Sequence, residues 1–354
     1  MSSDVKIDHM LLTATRPFKP KKPPSHYDRL VVPQDTAPQP LRITPRVLAI
    51  LKALGTHRYL SSDQITRLDK AELIEAAANE KPRKRPAHGA YVRHLLRQLH
   101  RHALIERPHA QEAFLSSFLH NGNYSLAYAI TRAGMRLLSE HRVPIDPRLD
   151  WTTKHTGSSP MFLAHALEIS QFMLDCRFAL PADRSLTLID HNSLLPLFPA
   201  ATRERKFPYQ LIVDVSIDKR PQTLTVIPDR LFRLRADKHH FNFALEIDRG
   251  TETLSARSKK SAKRSTFRKK ISAYYAAFLQ DQFEETWGFK SLRIVTVTTS
   301  EARIEHMLAL QREVTNDLAP NLFLYTTRQR IDAHGVLGPA WRSAAGDNIR
   351  LETR

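Results

Sequence analysis

The stretch "FNFALEIDRG", residues 241–250, decides how the chain is read. Its apolar run has the character of a buried strand, and it closes on Glu246 and Asp248, two residues apart. Successive side chains on a strand point to opposite faces, so these two carboxylates share a face. Two like charges that close are costly unless a positive group offsets them. The alternatives are a metal ion, an arginine or water.

Around it the second half of the chain reads as a mixed unit. "MFLAHALEISQFMLDCRFAL" (161–180) is an amphipathic helix and "SLTLIDHNSL" (185–194) a strand. "LTVIPDRLFRLR" (224–235) and "FNFALEID" (241–248) are strands joined by the polar turn "ADKHH". "STFRKKISAYYAAFLQ" is a helix, "SLRIVTVTTS" a β-branched buried strand, "EARIEHMLALQREV" a helix and "NLFLYTT" a last strand. Residues 331–354 read as a peripheral tail.

The first half has a different pattern. Residues 1–40 hold seven prolines and little apolar periodicity, which predicts a flexible, mildly basic arm. From Leu41 the periodicity becomes helical. Thr44 is a cap, Pro45 the first helical residue, and Val47, Ile50, Leu51 and Leu54 form one face up to Gly55. A second helix starts at Ser61 or Ser62. In "AYVRHLLRQLHRHALIERP" (90–108) Val92, Leu95, Leu96 and Leu99 make the apolar face, and Arg93, Arg97 and Arg101 lie on other faces. "NYSLAYAIT" alternates like a strand, and "TRAGMRLLSEH" returns to helix. The order predicts a winged helix-turn-helix over 41–142, followed by a linker at 143–159 and a second domain over 160–330.

Charge supplies the partner class. Lys and Arg total 54 against 36 acidic residues, a formal +18, which favours a polyanion and above all double-stranded DNA. Between Lys81 and Arg107 stand eight Lys or Arg with Glu106 as the lone acid. Arg83, Lys84, Arg85, Arg93, Arg97 and Arg101 from this run are candidate DNA contacts. A second block holds Lys259, Lys260, Lys263 and Arg264 and leads into Lys270. It would lay a strand over the carboxylates. One cysteine, Cys176, excludes a disulfide framework and a multi-cysteine zinc site. No apolar run approaches membrane-spanning length, and the N-terminus lacks a signal-peptide core, so the expectation is a cytoplasmic protein without membrane contact. No phosphate-loop glycine motif occurs, which argues against an ATP-driven activity.

Asp229 follows Pro228 at the start of the second strand, and three strands of one sheet can bring it to Glu246 at a common rim. Two carboxylates there suit Mg²⁺, which takes one or two protein oxygens and activates water against a phosphodiester. Pro228-Asp229 and Glu246-Ile247-Asp248, in that strand order, resemble the PD-(D/E)XK nucleases of the restriction-endonuclease-like fold. More narrowly, "HALEIS" (165–170), "IPDRLFRL" (227–234), "LEIDRGTET" (245–253) and "KKISAYY" (269–275) resemble the replication-relaxation family of plasmid and mobile-element proteins. The resemblance implies an α+β chain, with an N-terminal winged helix-turn-helix followed by a nuclease-like α/β domain around a mixed central sheet. It also implies other replication or transfer proteins as partners.

Where the superfamily pattern wants lysine, this chain has Asp248. Lys270 on the following helix is the expected substitute, since Arg249 points to the opposite strand face. Asp229 and Glu246 are thus the expected metal ligands, with Lys270 the third catalytic residue. Asp248 would be a further ligand or the partner of Lys270. Glu168 is a candidate extra carboxylate, and His165, one turn earlier, a candidate hydrogen-bond partner. Two functions follow: a Mg²⁺-dependent DNA-nicking enzyme, or a non-enzymatic origin-binding or regulatory protein with an inactive nuclease-like domain.

Overall fold

Side-chain caps start the helices where the sequence places them. In the computed structural model, which describes residues 40–77, 88–113, 125–143, 158–183, 185–217, 220–250 and 266–352, Thr44 accepts a hydrogen bond from the Val47 amide at 3.3 Å. Pro45 opens α1 (Pro45–His57). Gly55 does not end this helix. It is buried within the last turns, and the chain leaves through Arg58 in a positive-φ conformation. After β1 (Leu60–Ser61), the Ser61 hydroxyl accepts from the Gln64 amide (3.2 Å) while Gln64 Oε1 accepts from the Ser61 amide (2.9 Å). This reciprocal capping box starts α2 (Ser62–Ala77).

The third helix, α3 (His88–Arg101), buries Val92, Leu95, Leu96 and Leu99. Strands β2 (Ile105–Glu106) and β3 (Ala127–Ile130) follow, with β3 central in an antiparallel order β1-β3-β2. Thr131 then caps α4 (Arg132–Glu140). The expected alternation of β3 is absent, because all four residues are buried. Tyr128 and Ile130 join the core of α1–α4. Ala127 and Ala129 face Leu163 and Ala166 on a long helix, α5 (Pro160–Phe178). Two covered faces leave no reason for a polar position.

Helix α5 serves both halves of the chain. Leu174 belongs to the first core, whereas Phe172, Met173 and Cys176 belong to a core under the larger sheet. That sheet has seven strands in the order β12-β11-β10-β9-β8-β7-β4. They are β4 (Thr187–Ile189), β7 (Arg230–Ala236), β8 (His239–Ile247), β9 (Arg293–Thr298), β10 (Phe323–Thr327), β11 (Trp341–Ser343) and β12 (Gly346–Ile349). The β8-β9 and β9-β10 pairs are parallel and the others antiparallel, so the chain is a mixed α+β protein.

Three short helices, α6 (His191–Leu194), α7 (Ala200–Arg203) and α9 (Gln282–Trp287), fall between the longer ones in the chain. One face of the sheet packs on α8 (Phe267–Leu279) and α10 (Glu301–Thr315), through Leu231, Ala244, Ile294 and Tyr325. The other packs on α5 and α11 (Arg328–His334), through Phe232, Phe243, Leu245 and Leu324. The strict alternation along β8 divides its side chains between these two cores.

Two further sequence expectations are corrected. "LTVIPDRLFRLR" is not one strand. Leu224–Val226 ends β6 (Arg220–Val226), which pairs with β5 (Leu211–Ile217) as a separate hairpin, and β7 begins only at Arg230. Pro228, lacking an amide hydrogen, falls in the break between them. Residues 331–352 are no peripheral tail. They supply β11 and β12, and Trp341 is fully buried against Phe172. Residues 1–39 of the expected arm, 144–157 of the expected linker, and Arg83, Lys84, Arg85, Thr251, Lys259, Lys260, Lys263 and Arg264 lie outside the described residues.

Candidate functional site

The break at Pro228 places Asp229 at the rim. Its amide donates to the Leu245 carbonyl at 3.0 Å, and its Oδ2 accepts from the Ile247 amide at 2.7 Å. The register Arg230↔Leu245, continued by one residue, sets Asp229 beside Glu246. Asp229 Oδ1 lies 2.9 Å from Nε2 of His165 on α5. Across the sheet, Lys270 and Tyr274 stand one turn apart on α8 and both reach Glu246. Lys270 Nζ donates to Oε2 at 2.9 Å, and the Tyr274 hydroxyl donates to Oε1 at 2.6 Å. The His165–Asp229 pair and the Glu246–Lys270–Tyr274 group therefore stand side by side as one network.

Burial governs the ionisation of this network. The Glu246 side chain is 4% exposed. Desolvation pushes its pKa up to about 7 against the pull of Lys270, and the charge of Asp229 adds to the rise. Burial lowers His165, but its hydrogen bond to Asp229 and that carboxylate's charge outweigh the loss and raise it overall. The Tyr274 hydroxyl is held well above its ordinary value by burial and by Glu246.

A raised carboxylate favours the folded state below its unfolded pKa and loses that contribution as pH rises through the folded value. Wild type should therefore lose stability between about pH 5 and 8 relative to Glu246→Gln, which has no proton to lose. The difference should be on the order of 1–3 kcal/mol. Denaturant melts of both proteins across that range check it, and parallel curves would mean that Glu246 stays ionised throughout.

Asp248 lies on the same sheet face as Glu246 but has its own cation. Arg303 on α10 grips both carboxylate oxygens, with Nη2 2.8 Å from Oδ1, and Thr298 donates its hydroxyl to Oδ2 at 2.6 Å. Of the two expectations for Asp248, a further ligand or the partner of Lys270, the second is thus corrected. Glu168 is also placed elsewhere. It pairs at 3.0 Å with Arg249, which points to the α5 face of the sheet and also donates to the Met161 carbonyl. A crevice of about 760 Å³ opens between Glu168 and Asp248, at the carboxyl ends of β8, β9 and β10.

The positive partners of Glu246 and Asp248 in this structure are therefore Lys270 and Arg303. Sequence reasoning missed Arg303 and Tyr274. Only Tyr274 left a signal, its spacing of one turn from Lys270. As a metal centre the rim offers the right donor type, two carboxylates. Each carboxylate oxygen already accepts a hydrogen bond, however, and a cation on Glu246 would meet Lys270. Among the described residues no group of three His, Cys, Asp or Glu is placed to hold a metal ion.

A second feature lies on α3. Arg93, Arg97 and Arg101 are exposed at intervals of four residues and make no ion pair among the described residues. They form a basic stripe on the surface opposite Val92, Leu96 and Leu99. Other arginines are paired, Arg46 with Asp69 and Arg67 with Asp175.

Among the described residues no helix is long and apolar enough to cross a membrane. No curated protein and no solved structure matches the chain. The model of the replication-relaxation family does match, over residues 51–289, which include α3, Asp229, Glu246 and Lys270. That span exceeds half of the 354 residues, and the chain belongs to the replication-relaxation family.

Proposed function

We propose that this protein binds double-stranded DNA through α3, and that the Asp229–Glu246 network is a neutralised structural element of its second half. Family membership suggests a role in the replication or relaxation of plasmids or mobile elements. The observation that carries the DNA reading is the stripe of Arg93, Arg97 and Arg101. Three guanidinium groups without carboxylate partners among the described residues project from the helix that follows α1 and α2. The order of α1, β1, α2, α3, β2 and β3 supports a winged helix-turn-helix, whose third helix enters the major groove. Arginine there contacts phosphates or the guanine edge.

The test is binding of duplex DNA as salt is varied. Replacing all three arginines by alanine should weaken binding at least tenfold and make the salt slope shallower by about 3. An unchanged affinity at moderate salt would remove α3 from this role.

A second reading is a Mg²⁺-dependent nicking enzyme. The observation favouring it is the adjacency of Asp229 and Glu246 with Lys270 at hand. In that reading Asp229 and Glu246 would hold the ion, and Lys270, freed from Glu246, would offset negative charge on the phosphodiester. When bound, the ion would polarise a phosphodiester. Nicking of supercoiled plasmid that needs Mg²⁺ and vanishes in Glu246→Ala would establish it over the structural reading. The same assay without cleavage keeps the first.

A further inference from the structure

The opposite end of the large sheet carries a charge cluster that the reading above does not use. Strand β7 runs away from the Asp229 rim, turns at Asp237 and Lys238, and returns as β8. Eight residues at about 3.3 Å each put this turn roughly 25 Å from the rim. The register sets Arg235 opposite His240 and Arg233 opposite Asn242, so these four share one sheet face. Arg235, Lys238, His239 and His240 are exposed. His239 and His240 also line a cavity of about 350 Å³ together with Asn242, Ser291 and Arg293.

Within the β7–β8 hairpin itself negative charge is sparse. From Arg230 to Leu245 the lone acid is Asp237, in the turn itself. Among the described residues Arg233, Arg235, Lys238 and His240 make no ion pair. The partners of Arg233 are neutral: its Nε donates to Asn242 Oδ1 at 2.6 Å, and its guanidinium lies 5.0 Å from the centre of the Phe289 ring. Burial lowers Arg233 and Arg293, and Arg233, Arg235 and His239 add to the burial that lowers His240. Arg233, Arg235 and Lys238, against the single carboxylate of Asp237 in the hairpin, raise the local potential and draw an anion to this end of the sheet. The exposed groups around it are hydrogen-bond donors, the type that grips phosphate oxygens rather than base faces.

We propose that the β7–β8 end of the sheet binds the phosphodiester backbone of DNA, as a second contact separate from α3. This inference rests on the DNA-binding reading. It is tested with the full chain carrying Arg235→Ala and Lys238→Ala, two exposed positions outside the cores. If the pair lowers the melting temperature, Arg235→Gln with Lys238→Gln replaces it. Duplex affinity is measured across a salt series beside wild type and the α3 triple variant. The expected result is a salt slope shallower by about 2, with affinity reduced alike on unrelated sequences. A slope and affinity equal to wild type, with the α3 variant weakened, would overturn this inference and leave the function standing. Failure of wild type to bind any duplex at low salt would overturn both.

Discussion

Arg303→Ala is expected to cost about 3–5 kcal/mol of folding stability, the usual penalty for removing one partner of a buried ion pair. The carboxylate left behind is Asp248, whose side chain is 5% exposed. Its remaining partners are the Thr298 hydroxyl and the Gly250 amide, which satisfy hydrogen bonds without supplying a countercharge. In a domain of this size the loss should lower the melting temperature by on the order of 10 °C. Removing both charges together, as Asp248→Asn with Arg303→Met, should recover a large part of the loss, because no lone charge stays buried. A loss below about 1 kcal/mol for the single variant would place the pair in water, where such bridges contribute little.

Trp341→Ala should be of similar size, about 3–5 kcal/mol, from lost burial and the cavity left behind. The indole is fully buried, meets the Phe172 ring edge-on at 6.1 Å, and donates its N–H to the Val336 carbonyl at 2.8 Å. Leu337, Ala340 and Leu351 close the same core. Thermal unfolding of the variant decides whether these last residues hold the sheet together. A melting temperature equal to wild type would return them to the periphery.

The parts of the fold legible in the sequence are those with long periodic patterns. Val92, Leu95, Leu96 and Leu99 recur at helical spacing, and α3 lies there. The shared face of Glu246 and Asp248 followed from strand geometry alone. What stayed hidden depends on contacts remote in sequence or on short elements. Arg303 lies 55 residues from Asp248, on a helix that nothing in the sequence links to it. Strands β11 and β12 are three and four residues long, too short for a period, and Gly335, Gly338 and Pro339 before them resemble a loop. The two glycines serve different needs: Gly335 takes a positive φ of 77°, and a Cβ on Gly338 would lie 2.0 Å from the His334 carbonyl oxygen. The burial of β3 on both faces was hidden likewise, because its second cover, α5, comes after residue 158.

The double allegiance of α5 makes the chain a single mechanical body in the region around the rim. Leu163 on this helix touches the β3 side of the first core, Leu174 lies inside that core, and Phe172 is fixed under the large sheet. His165, between Leu163 and Ala166, holds Asp229. A helix is too stiff to bend within one turn, so a tilt imposed on it from the side of α1–α4 shifts His165 and with it the hydrogen bond to Asp229. Cutting the chain between 143 and 159 would separate two sequences but not two folding units, because each fragment would expose apolar surface that the other now covers.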